Sequence, residues 1–210
     1  MTGKTALLTA SAITLLAASA AYAETQNFSF TDFTGVSVSA GVDADIAVGG
    51  DYSVVAEGSD KALERLKMKV SNGELQIGRK ATIGWRRGDD VHVSITMPSM
   101  QALEVSSGAS ADVTGVDAGS FDIDVSSGGS ADVAGTCEDL NVDVSSGGDI
   151  DARSLECRNA VADASSGGSA DIYASESING DASSGGSVDI YGSPQRIGKN
   201  TSSGGSVSVK

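Results

Sequence analysis

The chain has 210 residues, of which 14 are basic and 28 acidic, and its formal net charge is −14. Aromatic residues make up 4% of the chain, while glycine is abundant at 27 residues and only two prolines and two cysteines are present. Nucleic acids and anionic membrane surfaces require a cationic footprint, so this charge argues against both as the main partner.

Residues 1–23 have the pattern of a signal peptide. Lys4 supplies the positive start, residues 6–18 are apolar, and Ala-Tyr-Ala at 21–23 is a cleavage site with small residues. The apolar stretch is too short to act as a stable membrane anchor. We therefore expect export and a mature chain that begins near Glu24. It would have no transmembrane segment and would lie in the periplasm, at the cell surface or outside the cell.

Residues 28–100 alternate between apolar and polar side chains in several short runs, which is typical of half-buried strands. The stretch 60–66 breaks this alternation and predicts one or two helical turns, capped by Ser59 or Asp60. Asn-Gly at 72–73 is a candidate hairpin turn. We interpret this region as irregular first coils of the repeat described below, carrying an insertion.

One basic and aromatic stretch interrupts the acidic chain, and it contains the single tryptophan. It is the best candidate for binding an anionic glycan or a lipid headgroup. The alternative is an insertion whose tryptophan covers the core of the first coils. The candidate binding residues are Arg79, Lys80, Trp85, Arg86 and Arg87.

A Ser-Ser-Gly unit followed by Gly or Ala recurs after residue 101 at intervals of 18 to 20 residues. The copies begin at Ser106, Ser126, Ser145, Ser165, Ser183 and Ser202. Apolar and polar side chains alternate on both sides of each copy, in the same phase every time, so each repeat supplies two short strands joined by a glycine corner. If the copies stack with equivalent positions above one another, every repeat can bury its apolar side chains on the same side.

This repeat predicts an all-β fold, a right-handed parallel β-helix (a β-solenoid) with rungs of 18–20 residues. The regular rungs occupy residues 101–210 and the irregular N-terminal rungs residues 28–100. Together they form one domain over residues 24–210.

The two cysteines hold the same place in consecutive repeats. Cys137 and Cys157 each stand eight residues before the next Ser-Ser-Gly unit. Stacked strands lie about 4.8 Å apart, within the range that a disulfide tolerates. We expect a disulfide between them, which suits an exported protein; the alternative is two free thiols.

The acidic residues recur at one position after each corner, which predicts a column of carboxylates along the solenoid. Calcium suits carboxylate oxygens, and it is the one cofactor that the pattern suggests. The alternative is a solvated acidic face that keeps the molecules apart. The weak metal candidates are Asp112, Asp132, Asp151, Asp171 and Asp189. The single histidine, His92, is interpreted as a polar residue of a strand.

Four features in order resemble a known family. They are an exported leader, Phe-Thr-Gly-Val-x-Val at 33–38, Asn-Gly-Glu-Leu-x-Ile at 72–77, and Ile-x-Met-Pro at 95–98 before serine-glycine-rich rungs. In this order they resemble the GIN domain, the auto-transporter adhesin head family of exported bacterial proteins, over about residues 28–209. The resemblance implies a right-handed β-helix with a surface or adhesion role. It supplies no catalytic residues.

The leading hypothesis is a non-enzymatic, exported binding or structural module, an adhesin-like β-helix at the bacterial envelope. The alternatives are an acidic calcium-responsive solenoid, an ice- or water-ordering surface of serine columns and, last, a glycan-active enzyme. An envelope glycan or a surface protein would be the partner. The sequence stops at Lys210, directly after an alternating strand. An uncovered terminal rung exposes unpaired edges, so we also expect a homo-oligomer through the C-terminal rung.

Overall fold

The computed structural model describes residues 24–80 and 90–210. These residues form an all-β fold with one short helix, α1 (Asp60–Arg65). The first seven strands are β1 (Glu24–Phe28), β2 (Gly35–Val38), β3 (Asp43–Val48), β4 (Ser53–Gly58), β5 (Leu66–Ser71), β6 (Glu74–Arg79) and β7 (Val91–Met97). The next eight are β8 (Ala102–Val105), β9 (Ser110–Val125), β10 (Ser130–Val144), β11 (Asp149–Ala164), β12 (Ser169–Ala182), β13 (Ser187–Tyr191), β14 (Arg196–Thr201) and β15 (Ser206–Val209).

The strands from β8 onward stack as the parallel coils of a β-solenoid, as the repeat predicted. Each coil has a pre-corner segment, a Ser-Ser-Gly corner and a post-corner segment. Strands β9 to β12 are long because each runs from the post-corner segment of one coil into the pre-corner segment of the next. The stacked segments form two outer surfaces, named here the pre-corner face and the post-corner face.

Equivalent residues of successive coils lie directly opposite each other. Ser130 pairs in register with Ser110 and Asp149, and Val144 pairs with Val125 and Ala164, all between parallel strands. Because a strand alternates its side chains between two sides, this register keeps every apolar column inside. The predicted stacking of like on like is therefore confirmed.

The core is a set of apolar columns between the two faces. Val, Ile, Leu and Ala fill the regular coils, and larger side chains such as Phe33, Met97 and Phe121 are fully enclosed. Within residues 24–80 and 90–210, no polar or charged side chain is buried. The chemistry of the described part of this protein therefore lies on its outer faces.

The N-terminal coils do not stack in chain order. Strand β2 pairs with β8 on one side and with β6 on the other, although β6 follows it by a long insertion. Strand β3 likewise lies between β7 and β9. Beyond them, β4, β5 and β1 add antiparallel strands at this end. The predicted irregular coils with an insertion are confirmed, but their spatial order was not predicted.

Two local predictions in the insertion are also confirmed. Helix α1 has Ser59 as its N-cap, and the side-chain oxygen of Ser59 accepts a hydrogen bond from the Ala62 amide at 3.3 Å. Strands β5 and β6 form a hairpin in which Asn72 (φ 54°) and Gly73 (φ 77°) both adopt the left-handed conformation. Positive φ at both central residues is typical of a type I′ turn, for which Asn-Gly is the preferred pair.

The corners have the same geometry as that hairpin turn. In the first corner, Ser107 (φ 57°) and Gly108 (φ 69°) are both left-handed, and the Ala109 amide donates to the Ser106 carbonyl at 3.2 Å. The same pair of positive φ values recurs in every later corner. The corners also bond to each other, since the Gly108 amide donates to the Ser127 carbonyl at 3.2 Å.

The predicted disulfide is present. Cys137 on β10 lies opposite Cys157 on β11, with their Cα atoms 4.5 Å apart, and the bond closes a sequence separation of 20 residues. Both cysteines are buried. The bond therefore joins two neighbouring coils covalently, beside the apolar core.

At the C-terminal end, β14 pairs with β12 and β15 pairs with β13. The outer edges of β14 and β15 have no strand partner among the described residues, and Ile197 and Val209 are exposed there. The described residues contain no helix that is long and apolar enough to cross a membrane.

Candidate functional site

An acidic column runs along the post-corner face, where the sequence predicted it. The five predicted aspartates lie in register on neighbouring strands, and Asp45 of β3 extends the column by pairing with Asp112. The column members are Asp45, Asp112, Asp132, Asp151, Asp171 and Asp189. Like charges at strand spacing repel, so the column requires some compensation.

Basic side chains supply part of that compensation. His92 Nε2 lies 3.0 Å from Asp45 Oδ2 at one end, and Lys210 Nζ lies 2.9 Å from Asp189 Oδ2 at the other. In the middle, the Arg153 guanidinium contacts Asp151, and its Nε lies 3.7 Å from Asp171. Arg153 and Lys210 therefore place positive charge beside the middle and the C-terminal end of the column, and His92 makes a polar contact at its other end.

The pKa values of the column carboxylates also differ, because their burial and their charged neighbours differ. Partial burial, together with the neighbouring charges of Asp112 and Asp151, raises the pKa of Asp132. The hydrogen bonds from Arg153 lower the pKa of Asp151. Partial burial raises the pKa of Asp171, and its neighbour Arg153 opposes that shift. The column is therefore not uniform: Asp151, Asp171 and Asp189 lie beside a cation, whereas Asp132 lies between two other carboxylates.

The column does not form a metal cage. Within residues 24–80 and 90–210, no three carboxylate, histidine or cysteine side chains come together in a way that could hold a metal ion. The predicted candidates Asp112, Asp132, Asp151, Asp171 and Asp189 stand in a row, one per coil. Calcium takes six to eight oxygen ligands around one point, and a row of single carboxylates does not supply them.

Two tyrosines stand beside the C-terminal half of the column. Tyr173 and Tyr191 lie in register on β12 and β13, two residues after column aspartates, and both are half-buried on outward positions. The Arg153 guanidinium carbon lies 5.6 Å from the centre of the Tyr191 ring. We name Arg153, Asp171, Tyr173, Asp189 and Tyr191 the tyrosine patch.

Glycine at position 192 makes room for this patch. A Cβ atom there would lie 3.2 Å from Cε2 of Tyr173 and would clash with the Ala174 carbonyl oxygen, and Gly192 also has a φ of 93°. The sequence analysis missed the patch. Its signal was present, because each tyrosine stands eight residues after the first serine of its corner in consecutive coils.

On the same face, a shallow groove of about 420 Å³ follows the column from Asp112 to Arg153. The floor of the groove includes Val113 and Val133, and Thr114 lies along its side. Arg153, which contacts the column at Asp151, also lines the groove. The tyrosine patch begins at that point, so the face changes from an acidic groove to an aromatic platform.

The pre-corner face has a second acidic column and a polar ladder. Its in-register acids are Glu104, Asp124, Asp143, Asp163 and Asp181. Beside them, Ser177 Oγ donates to Asn159 Oδ1 at 2.6 Å, and Asn159 Nδ2 donates to Asp139 Oδ1 at 3.0 Å. These bonds connect side chains of three neighbouring coils on the outer surface.

The predicted basic stretch falls partly within the described residues. Arg79 Nη2 donates to the Gly41 carbonyl at 2.6 Å, and Lys80 Nζ donates to the Glu64 carbonyl at 2.9 Å. Both side chains therefore fasten the end of β6 to a corner and to α1. Trp85, Arg86 and Arg87 lie outside the described residues, so the binding role of this stretch stays a prediction.

The order of features on these coils is that of a known family. A family model described as "Putative auto-transporter adhesin, head GIN domain" matches residues 32–194, most of the chain. The chain belongs to the GIN domain family. The resemblance derived from the sequence is thereby confirmed. No curated protein matches this GIN domain.

Three solved structures with a similar fold are described as putative adhesins. One from Bacteroides fragilis has 15% identity and a TM-score of 0.72, and the match covers 90% of this chain and 97% of that chain. One from Parabacteroides distasonis has 15% identity, a TM-score of 0.56, and coverage of 91% and 98%. One from Parabacteroides merdae has 13% identity, a TM-score of 0.53, and coverage of 91% and 97%. At these identities the likeness concerns the fold.

Proposed function

We propose that this GIN domain is a non-enzymatic binding module that acts at the bacterial envelope after export. The observation that carries the proposal is the construction of the two outer faces. Each face consists of exposed side chains repeated in register over a closed apolar core. Such a surface offers the same chemical groups at regular spacing along the solenoid, which suits contact with a partner that is itself extended or repetitive.

The arrangement of polar groups favours binding over catalysis. Catalytic acids, bases and nucleophiles usually lie in clefts, where burial and neighbouring charges tune their pKa values. Here the polar groups of the described residues lie on open faces, and the His92–Asp45 pair is exposed on both sides, at 41% and 60% of its side-chain surface. We therefore assign these groups to recognition and to the stability of the coils.

The pattern of residues 1–23 supports export, and the Cys137–Cys157 disulfide suits an oxidising compartment outside the cytoplasm. Membership in a family described as adhesin heads supports a location at the envelope. The periplasm, the cell surface and the medium are all oxidising enough to maintain the bond.

Retention on envelope material tests the proposal. The purified chain is fixed to beads and incubated with washed bacterial envelopes, and a non-family protein of similar net charge is the control. We expect retention of envelopes by the GIN domain only. Equal retention by both proteins, or release of soluble sugars or peptides from the envelopes by the GIN domain, would contradict a non-enzymatic binding role.

A further inference from the structure

The tyrosine patch is the part of the outer faces that is built differently from the rest. After Phe121, which is buried, Tyr173 and Tyr191 are the only aromatic residues in the sequence. They occupy equivalent outward positions on neighbouring coils. Core packing does not require them there, because the inward positions beside them are occupied by Ile172 and Ile190. An aromatic pair on an open face therefore needs another explanation.

We infer that the tyrosine patch binds a neutral polysaccharide chain, an inference that rests on the proposed function. An aromatic ring with a polar tip presents an apolar surface to the C–H side of a sugar ring and a hydroxyl to its edge. The two tyrosines lie in register on neighbouring strands, whose backbones are about 4.8 Å apart, so their side chains offer consecutive contacts along an extended polymer. The polymer would run across the coils, along the solenoid.

The charged groups of the patch suit sugar hydroxyls. Asp171 and Asp189 border the tyrosines and accept hydrogen bonds, while the Arg153 guanidinium can donate them. Arg153 is held in place by Asp151 and Asp171 and lies near the Tyr191 ring. A side chain that is already fixed loses little conformational entropy when a ligand binds.

The same groups argue for a neutral polymer over an acidic one. The carboxylates of Asp151, Asp171 and Asp189 outnumber the two cations that contact them, Arg153 and Lys210. The rest of the column continues this negative charge along the face. An anionic polysaccharide would be repelled by that field, whereas a neutral one would not.

Affinity electrophoresis through native gels that contain a soluble polysaccharide tests this inference. The probes are hydroxyethyl cellulose, glucomannan and dextran, with alginate as the anionic comparison. We expect the wild-type chain to be retarded by at least one neutral probe and not by alginate. The Tyr173→Ala/Tyr191→Ala variant should bind about tenfold more weakly, the loss expected when aromatic stacking is removed.

Three further variants separate the patch from folding effects. Tyr173→Phe/Tyr191→Phe keeps the stacking surface and should retain most of the affinity. Arg153→Gln should weaken binding while leaving both rings in place. Asn141→Ala/Asn179→Ala changes exposed side chains on the pre-corner face and should bind like the wild type. Circular dichroism confirms that each variant is folded.

The outcomes distinguish this inference from the proposed function. If no neutral probe retards the wild type, or if the double alanine variant is retarded equally, the patch is not a polysaccharide site. If alginate retards the wild type more strongly than the neutral probes, the ligand class is wrong. In each of these cases, continued retention of envelopes on beads would leave the proposed binding function standing.

Discussion

At the scale of single residues, the last position of each Ser-Ser-Gly-Gly corner is constrained by the neighbouring coil. A Cβ atom at Gly148 would lie 2.7 Å from the Val125 carbonyl oxygen, and one at Gly168 would lie 2.8 Å from the Val144 carbonyl oxygen. In the first corner, Ala109 occupies this position, next to the irregular coil of β2. Glycine is therefore required where two regular coils meet.

We predict that Gly148→Ala destabilises the protein by about 1–3 kcal/mol, the usual range for an overpacked interior position. Ser146→Gly in the same corner is the matched control. Ser146 has a φ of 53°, a conformation that glycine adopts without strain, so this change should be neutral within about 1 kcal/mol. Urea unfolding measures both variants. Similar losses in the two variants would contradict the assignment of the close approach to position 148.

The corner also shows what the sequence could and could not predict for a residue. The glycines predicted a bend with positive φ, and this is correct. The left-handed conformation of the serine before each glycine was not predicted. Serine seldom adopts that conformation, and nothing in the surrounding sequence indicates it. It follows from the turn type, which requires positive φ at both central residues. Ser107 and its five equivalents therefore adopt a conformation that is unfavourable for serine, and at Ser107, Ser127 and Ser146 the carbonyl accepts a hydrogen bond from a neighbouring corner.

At the scale of elements, the disulfide is the feature that the sequence predicted most directly. The spacing of Cys137 and Cys157 matched the repeat, so the stacking of coils implied the bond. The stack of β8 to β15 followed from the same periodicity. The tyrosine patch was missed because two tyrosines in separate repeats form no motif until the register between the strands is known.

The order of the first coils could not be predicted either. Strands β2, β6 and β8 have the same alternation, and a period of two does not say which strands are neighbours or whether they run parallel. The hairpin at residues 72–73 reverses the chain locally. That reversal lets a later segment, β6 and β7, occupy the outer side of the coil formed by β2 and β3.

Removal of the disulfide should weaken the stack without abolishing it. A closed loop of this length stabilises a protein by about 3 kcal/mol, largely by restricting the unfolded chain. We expect Cys137→Ala/Cys157→Ala to lower the midpoint of urea unfolding accordingly, with the circular dichroism spectrum at zero urea unchanged. Reductant should shift the wild-type midpoint to that of the variant and leave the variant itself unaffected. A variant as stable as the wild type would show that the coils alone determine the stability.

At the scale of the whole molecule, the acidic columns couple stability to pH. Partial burial, reinforced by neighbouring carboxylates, raises the pKa of Asp124, Asp132 and Asp163 in the folded protein. A raised folded-state pKa means that the folded chain binds the proton more tightly than the unfolded chain. This contribution to stability is complete when the pH is below the pKa of the unfolded state. It is lost as the pH rises through the pKa of the folded state. The lowered pKa of Asp151 acts in the opposite sense.

Because the raised pKa values outnumber the lowered one, we expect the melting temperature to increase as the pH falls from neutral through the raised folded-state pKa values toward the ordinary aspartate value of 3.8. Asp132→Asn removes the carboxylate between Asp112 and Asp151, so it should increase the melting temperature at neutral pH and flatten the pH dependence. Added sodium chloride should have a similar stabilising effect on the wild type, because it screens repulsion. Thermal melts followed by circular dichroism measure all three. A melting temperature that decreases steadily over this pH range would contradict the account.

The open edges of β14 and β15 concern the assembly of whole molecules. Unpaired strand edges with exposed apolar side chains favour the addition of another strand, and we propose a second copy of the chain as the partner. Static light scattering at tens of micromolar should detect dimers. Val209→Lys should favour the monomer, whereas Val161→Lys, at a position of similar exposure (42% against 40%) away from this edge, should not. A strict monomer of the wild type would contradict the proposal.

The hydrogen bonds between coils have a mechanical consequence. These bonds point along the long axis of the stack. Tension applied to the two ends of the chain therefore acts on a few hydrogen bonds at a time, and the coils separate one after another from the ends. The covalent link between Cys137 and Cys157 interrupts this unravelling, because it keeps about 20 residues from contributing to the extension. A molecule pulled at its two ends would therefore extend gradually, coil by coil, and the residues between the two cysteines would add no length.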